Sequence, residues 1–426
     1  MQEDVSFSQG NLAHAPQEKS LATEYAPLGA AHVADPYHFY TRARREEPIF
    51  YSPLISAWVV SRYDDALTIL KDPQRFPISV MQLSDDWYTP EAVELMRSLP
   101  LARVPGLLTV DPPEHTRLRS SITRAMSAQR IASLEPRIRQ FANQLIDQFA
   151  PSTRLDFVER FARPFPVLVI SSLLNVPEED QPQLRRWSNE ATALNTTRPT
   201  AEQQILMVQS YAALQQYICD LVEQRRKAPQ DDLASDLLKA VDAGQAPLSV
   251  LEASRLLYLV FSAGFETTVN FLGNCLLVLL SDHAHWQSMQ EHPQSIPNLV
   301  EELLRFASPV LGLFRRANQD VELGGQLIPK GAMIQVLLAS ADHDEAVFHN
   351  ADTLDLQSEK TNRHIAFGYG VHFCLGAPLA RLETRIALEQ LSQRLPSLRL
   401  VPGQDFSYTP NLLFRGLKQL FVEWDD

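Results

Sequence analysis

The sequence predicts a mainly α fold with small β-sheets, and three observations carry that prediction. Apolar residues recur at three- and four-residue spacing over 63–70, 117–126, 138–149, 201–225 and 379–395. Strand-like runs are short and sit at two places, 49–51 and 58–61 early, 321–323 and 333–338 late. No βαβ alternation occurs, which argues against a doubly wound sheet. The expected body is therefore helical, with a small sheet built from both ends of the chain.

Composition narrows the class. The 426 residues are 45% hydrophobic and 21% charged, an ordinary globular balance. A chain of this length buries roughly three-quarters of its unfolded surface, enough to enclose a cofactor. Its 38 basic and 51 acidic residues give a net charge of −13, which excludes general nucleic-acid binding. Cys219, Cys275 and Cys374 are too few and too scattered for a disulfide framework or a four-cysteine zinc site. The N-terminus MQEDVSFSQG lacks the basic and apolar runs of a signal peptide. The most apolar stretch, 256–280, carries Glu266, Asn270 and Asn274 and makes a poor membrane span. A cytoplasmic protein without a membrane anchor is expected, with residues 1–20 a loose tail and 21–426 a single domain.

Punctuation marks three helices. Ser249 and Glu252 form a capping box ahead of an apolar run to about Ser281, one helix close to 50 Å long. Asp111, Pro112 and Glu114 give a second start, with an acid at the N-cap and proline at the first helical position. Pro297 opens a third, which Pro309 stops after Phe306.

The segment 367–383 reads FGYGVHFCLGAPLARLE. Glycines let a backbone turn tightly and approach a bulky planar group. Cys374 then precedes a helix N-terminus, where free amides and the macrodipole favour a thiolate. A pinned thiolate is what a haem iron needs from a proximal cysteine.

This segment resembles the haem-binding loop of the cytochrome P-450 family, F-G-x-G-x-H-x-C-x-G, especially in its soluble bacterial members. The likeness extends over nearly the whole chain after residue 35, including DPYHFYTRARREEP and WVVSRYDDALTILKDP. It implies the cytochrome P-450 fold, with haem b between the long central helix and the Cys374 loop, and Cys374 as the iron ligand.

The resemblance implies roles for further residues. In AGFETT, Ala263 and Gly264 would make space for dioxygen and substrate, and Glu266 and Thr267 would relay protons as an acid–alcohol pair. An acid and a hydroxyl in an apolar helix are costly unless partnered. Glu302 and Arg305, at i and i+3 in EELLRF, match a buried structural pair. The third arginine that often completes that network is absent, since the stretch reads Asp352, Thr353, Leu354, Asp355; Arg363 or His364 are candidates to close it. His115 and Arg119 lie on one helix face. With Arg315, favoured over Arg316, and His372, they are expected to hold the haem propionates.

Apolar residues at Val310, Leu311 and Leu413, with Ala263 and Gly264, are expected around the substrate. Asp85, Asp86 and Trp87 are candidates for substrate choice. Arg117, Arg124, Arg130, Arg381 and Arg385 are expected to form a local basic patch for an acidic redox partner. The chain ends some 50 residues past the haem loop, so separate partners, a ferredoxin and an NAD(P)H-dependent ferredoxin reductase, are expected. The reaction implied is hydroxylation or epoxidation of an apolar small molecule with O2. The alternatives are a peroxide-driven or a coupling or rearrangement enzyme on the same haem site, and a haem-binding sensor without turnover.

Overall fold

The computed structural model describes residues 21–78, 88–197, 199–244, 248–356 and 363–425. The tail expected over 1–20 and the loop residues Asp85, Asp86 and Trp87 lie outside the described residues.

Among the described residues, nine short strands form three sheets. They are β1 (Ile49–Ser52), β2 (Ala57–Val60), β3 (Arg154–Asp156), β4 (Leu313–Arg316), β5 (Val321–Leu323), β6 (Gln326–Ile328), β7 (Met333–Val336), β8 (Arg399–Leu400) and β9 (Phe421–Glu423). The largest sheet has the order β1-β2-β7-β4. Its parallel β2–β7 pair, with Trp58 opposite Ile334, joins the early and late strand runs as expected. Strand alternation in β4 buries Arg315 and turns Arg316 the other way. A turn through Gly324 and Gly325, at φ of 53° and 78°, links β5 to β6. The sheet β3-β9-β8 is a departure from expectation. Its strands are two or three residues long, too short to show a period of two.

The helices of eight or more residues are α1 (Tyr37–Glu46), α2 (Tyr63–Lys71), α3 (Pro90–Arg97), α4 (Glu114–Ala125), α5 (Glu135–Phe149), α6 (Pro164–Leu173), α7 (Gln181–Thr196), α8 (Ala201–Lys227), α9 (Leu233–Asp242), α10 (Val250–Ala263), α11 (Glu266–Ser281), α12 (His283–Glu291), α13 (Ile296–Phe306) and α14 (Ala377–Arg394). One continuous apolar core runs through α4 to α14, with Phe157, Phe161 and Phe165 stacked in it. A second, smaller core fills the space between the four-stranded sheet and α2.

Two helix expectations are corrected. The long helix starts on its capping box, with both Ser249–Glu252 hydrogen bonds made, but it is interrupted at Gly264 and Phe265. The Gly264 amide falls back to the Phe261 carbonyl, one residue short of α-helical pairing. A Cβ on Gly264 would lie 2.5 Å from the Val260 carbonyl oxygen and 2.8 Å from Ile170 Cδ1. The glycine therefore lets this segment press onto α6. The helix expected to be capped by Asp111 begins at Glu114, with Pro113 at its cap. The Asp111 carboxylate instead accepts the Ile78 amide at 3.0 and 3.1 Å. By contrast, α13 keeps its expected ends, with proline in its first turn. Val250–Ser281 is long and apolar enough to cross a membrane, yet 56% of its most apolar window is buried inside the fold.

Candidate active site

The Cys374 loop is held by its own backbone. Cys374 donates its amide to the Phe367 carbonyl at 3.0 Å, and Gly368 donates to Ile365. Gly368 and Gly370 both adopt φ of 72°. A side chain at Gly370 would lie 2.6 Å from the Leu70 carbonyl oxygen, so this glycine admits α2 against the loop. The sulfur sits ahead of α14, whose cap is Gly376. Burial pushes the Cys374 thiol up. The amides of Gly376 and Ala377 and the charges of Arg119 and Arg381 pull it the other way. The helix N-terminus favours the thiolate as expected, but in the protein alone it does not outweigh desolvation.

Two histidines and two arginines converge beside this sulfur. The rings of His115 and His372 lie 4.2 Å apart. His372 Nε2 is 3.4 Å from Asp111 Oδ1, while His372 Nδ1 and His115 Nε2 are buried with no hydrogen-bond partner among the described residues. Burial holds His115 down at about 4 and Arg315 down at about 10. Arg315 is 4% exposed and, among the described residues, donates only to the neighbouring Phe314 carbonyl, at 2.8 Å. Desolvation also lowers Arg119, which feels the Cys374 sulfur. The structure thus brings His115, Arg119, Arg315 and His372 around one place. The competing Arg316 donates to the Gly331 carbonyl on the other face of β4.

Glu266 and Thr267 line a cavity of about 370 Å³. Burial pushes the Glu266 carboxyl up to about 7, with a hydrogen bond from Thr192 and the charge of Arg163 opposing. Thr267 Oγ1 lies 3.4 Å from the Ala263 carbonyl, a weak bond that leaves the hydroxyl free to turn. Leu107, Leu259 and Phe414 supply apolar wall, and Tyr211, Arg255 and Tyr258 a polar end. Of the five residues expected around a substrate, Ala263 lines this cavity. The other four do not. Gly264 faces Ile170 on α6. Val310 bridges the backbone of Phe414, Leu311 is buried with Tyr25, Phe39 and Phe50, and Leu413 gives its carbonyl to the Leu311 amide. Sequence reasoning missed Thr192 and Arg255. Arg255 on α10 and Glu266 at the start of α11 lie on either side of the break at Gly264 and Phe265, yet both line this cavity. A second cavity, of about 410 Å³ between α1 and α11, contains none of these residues.

Glu302 and Arg305 form a buried pair, 1% and 3% exposed. The guanidinium meets the carboxylate at 2.6 and 2.9 Å and donates further to the carbonyls of Asp342, Ala351 and Thr353. The Asp355 amide donates to Glu302. Backbone groups of 351–355 therefore close the network, not Arg363 or His364. Arg363 is exposed, and His364 pairs with Glu301 at 3.1 Å.

The expected basic patch is largely neutralised within the chain. Arg117 pairs with Glu114 and Glu252, Arg130 with Asp231, Arg381 with Glu301, and Arg385 with Glu135 and Glu389. Carboxylates brought in by other helices were invisible in local charge spacing.

Residues 295–411 match the family model described as Cytochrome P450. The chain is 35% identical over 405 residues to "Cytochrome P450 107B1" of Saccharopolyspora erythraea, covering 92% of this chain and 96% of that one. It is 38% identical over 373 residues to "Mycinamicin IV hydroxylase/epoxidase" of Micromonospora griseorubida, covering 86% and 89%. Among solved structures, "cytochrome P450 CREJ in complex with (4-ethylphenyl) dihydrogen phosphate" superposes with a TM-score of 0.90 at 31% identity, covering 95% of this chain and 100% of that one.

Proposed function

Since the chain belongs to the cytochrome P450 family, and so is a haem b monooxygenase, we propose how its own residues serve that chemistry. We infer that it hydroxylates or epoxidises an apolar small molecule of secondary metabolism. Residues 21–426 act as one catalytic domain in the cytoplasm, receiving electrons from a separate ferredoxin and its NAD(P)H-dependent reductase. The relatives named for polyketide biosynthesis and for mycinamicin hydroxylation and epoxidation support that substrate range.

The residues present fit haem. The free Cys374 sulfur would bind the haem iron as a thiolate. The unpartnered nitrogens of His115 and His372, with Arg315 and Arg119 held in desolvated positions, suit two propionates. Bound haem supplies dioxygen reduction and transfer of one oxygen atom to substrate.

The chain supplies the rest. Small Ala263 keeps the cavity floor open, and Leu107, Leu259 and Phe414 exclude water from it. Glu266, held near 7, can both take and give a proton at neutral pH. It receives one on the Thr192 side and passes it to the Thr267 hydroxyl. The observation that carries this reading is the juxtaposition of Glu266 and Thr267 on the wall of a largely apolar cavity. A peroxide-driven enzyme has no need of that pair.

The reduced, carbon monoxide-treated protein should show the thiolate-type red-shifted Soret band, and Cys374→Ser should lose it. With surrogate redox partners, Thr267→Ala should divert most NAD(P)H consumption away from product. Unchanged coupling would remove the relay, and substrate-induced spin shifts without product would favour a sensor.

A further inference from the structure

The cavity beside Glu266 is electrically asymmetric. Its lining contains one acid, Glu266 on α11, and one base, Arg255 on α10. Eight residues of α10 separate Arg255 from Ala263, so the two lie ~12 Å apart along the helix axis. The rest of α10 between them shows the cavity Tyr258, Leu259 and Ser262.

Arg255 is unusual among the cavity residues in what it lacks. Its Nη1 donates to the Tyr211 hydroxyl at 3.0 Å, and its guanidinium lies 5.4 Å from the centre of the Tyr258 ring. Neither neighbour carries a negative charge, and among the described residues no carboxylate pairs with it. By contrast, Arg117, Arg130, Arg381 and Arg385 each engage an acid from another segment, in a chain with 51 acidic residues to draw on. Gly106 lets the backbone pack closely against the guanidinium, since a Cβ there would lie 3.0 Å from Arg255 Nε. A planar cation with spare donors, set at the end of a largely apolar cavity, matches the head of an amphipathic anion.

We propose that Arg255, with the Tyr211 hydroxyl, anchors the acidic head of the substrate, a carboxylate or a phosphate monoester, while the apolar body runs along α10 toward Ala263 and Thr267. This deepens the monooxygenase reading and rests on it. The head fixes one end, so oxidation falls in the half of the molecule remote from the acid.

Dodecanoate, methyl dodecanoate and dodecyl phosphate separate the possibilities, titrated into the purified haem-loaded protein by spin shift and by calorimetry. An anion should bind at least about tenfold more tightly than the ester, the scale of a charge-assisted hydrogen bond. Arg255→Gln should reduce that preference to less than about threefold. Arg255→Lys, which keeps the charge, should retain part of it and guards against a folding artefact in the glutamine variant. Tighter binding of dodecanoate identifies a carboxylate head, and tighter binding of dodecyl phosphate a phosphate head. Equal binding of acid and ester, a preference untouched in Arg255→Gln, or no binding of either anion overturns the assignment. A protein that shows the thiolate–carbon monoxide band yet lacks anion preference loses this inference alone. Absence of that band in the wild type overturns the monooxygenase mechanism instead.

Discussion

Glu266 shows how one residue's surroundings set both its chemistry and its cost. Burial holds its carboxyl at about 7, well above the ordinary carboxylate range. Between the ordinary value and 7 the folded chain keeps a proton that the unfolded chain has released. Stability therefore falls as pH rises through that window and levels off above it. Glu266→Gln cannot ionise and should be spared the loss. Denaturant midpoints measured across this range should show the variant gaining on the wild type, by about 1–2 kcal/mol at neutral pH. The figure is modest because the side chain lines a cavity and not dry core. A parallel pair of pH profiles would sink the assignment. The residue type was legible in AGFETT, since an acid in an apolar helix asks for a reason. Its partner Thr192 was not, because α7 meets α11 only through the tertiary fold.

At the scale of elements, Arg305 makes five hydrogen bonds, two to Glu302 on its own helix and three that tie α13 to the backbone carbonyls of Asp342, Ala351 and Thr353. Only a planar fork reaches all of them. Arg305→Lys should leave carbonyls unsatisfied beside a buried carboxylate, costing about 3–5 kcal/mol and haem retention. Haem content after purification and the denaturation midpoint check both. Gly264 makes a second test. Glycine to alanine in a helix normally stabilises, but here the new methyl would meet Ile170 and the Val260 carbonyl. Gly264→Ala should instead destabilise by about 1–3 kcal/mol. A raised unfolding temperature would show that the break between α10 and α11 has another cause. These cases explain what the sequence withheld. Apolar spacing runs unbroken through 264–265, so periodicity alone could not reveal the interruption. The missing arginine near Thr353 read as a gap in a motif, whereas carbonyls, which every residue type carries, fill it.

At the scale of the whole molecule, the sheet joining both ends of the chain was legible because each strand run carried its own β-branched and aromatic signature. The cavity was not, because its walls come from 106–109, 191–196, 211, 255–267 and 414, segments that nothing local links. Charge behaves in the same way. Arginines that clustered along the sequence are bound to carboxylates from distant segments, and the chain as a whole stays at −13. A docking face built on a free basic patch would lose an order of magnitude or more in association rate as salt rises. Here the paired arginines cancel most of that field, so the second-order rate of reduction by an acidic surrogate ferredoxin should change by less than about threefold from low to physiological ionic strength. Glu135 is partly exposed and holds both Arg139 and Arg385. Glu135→Gln should release part of their charge, raise the low-salt rate about two- to threefold and steepen its decline with salt. Stopped-flow reduction of both proteins across an ionic-strength series decides the matter. A steep salt dependence already present in the wild type would mean that the field at the docking face comes from cations other than these pairs.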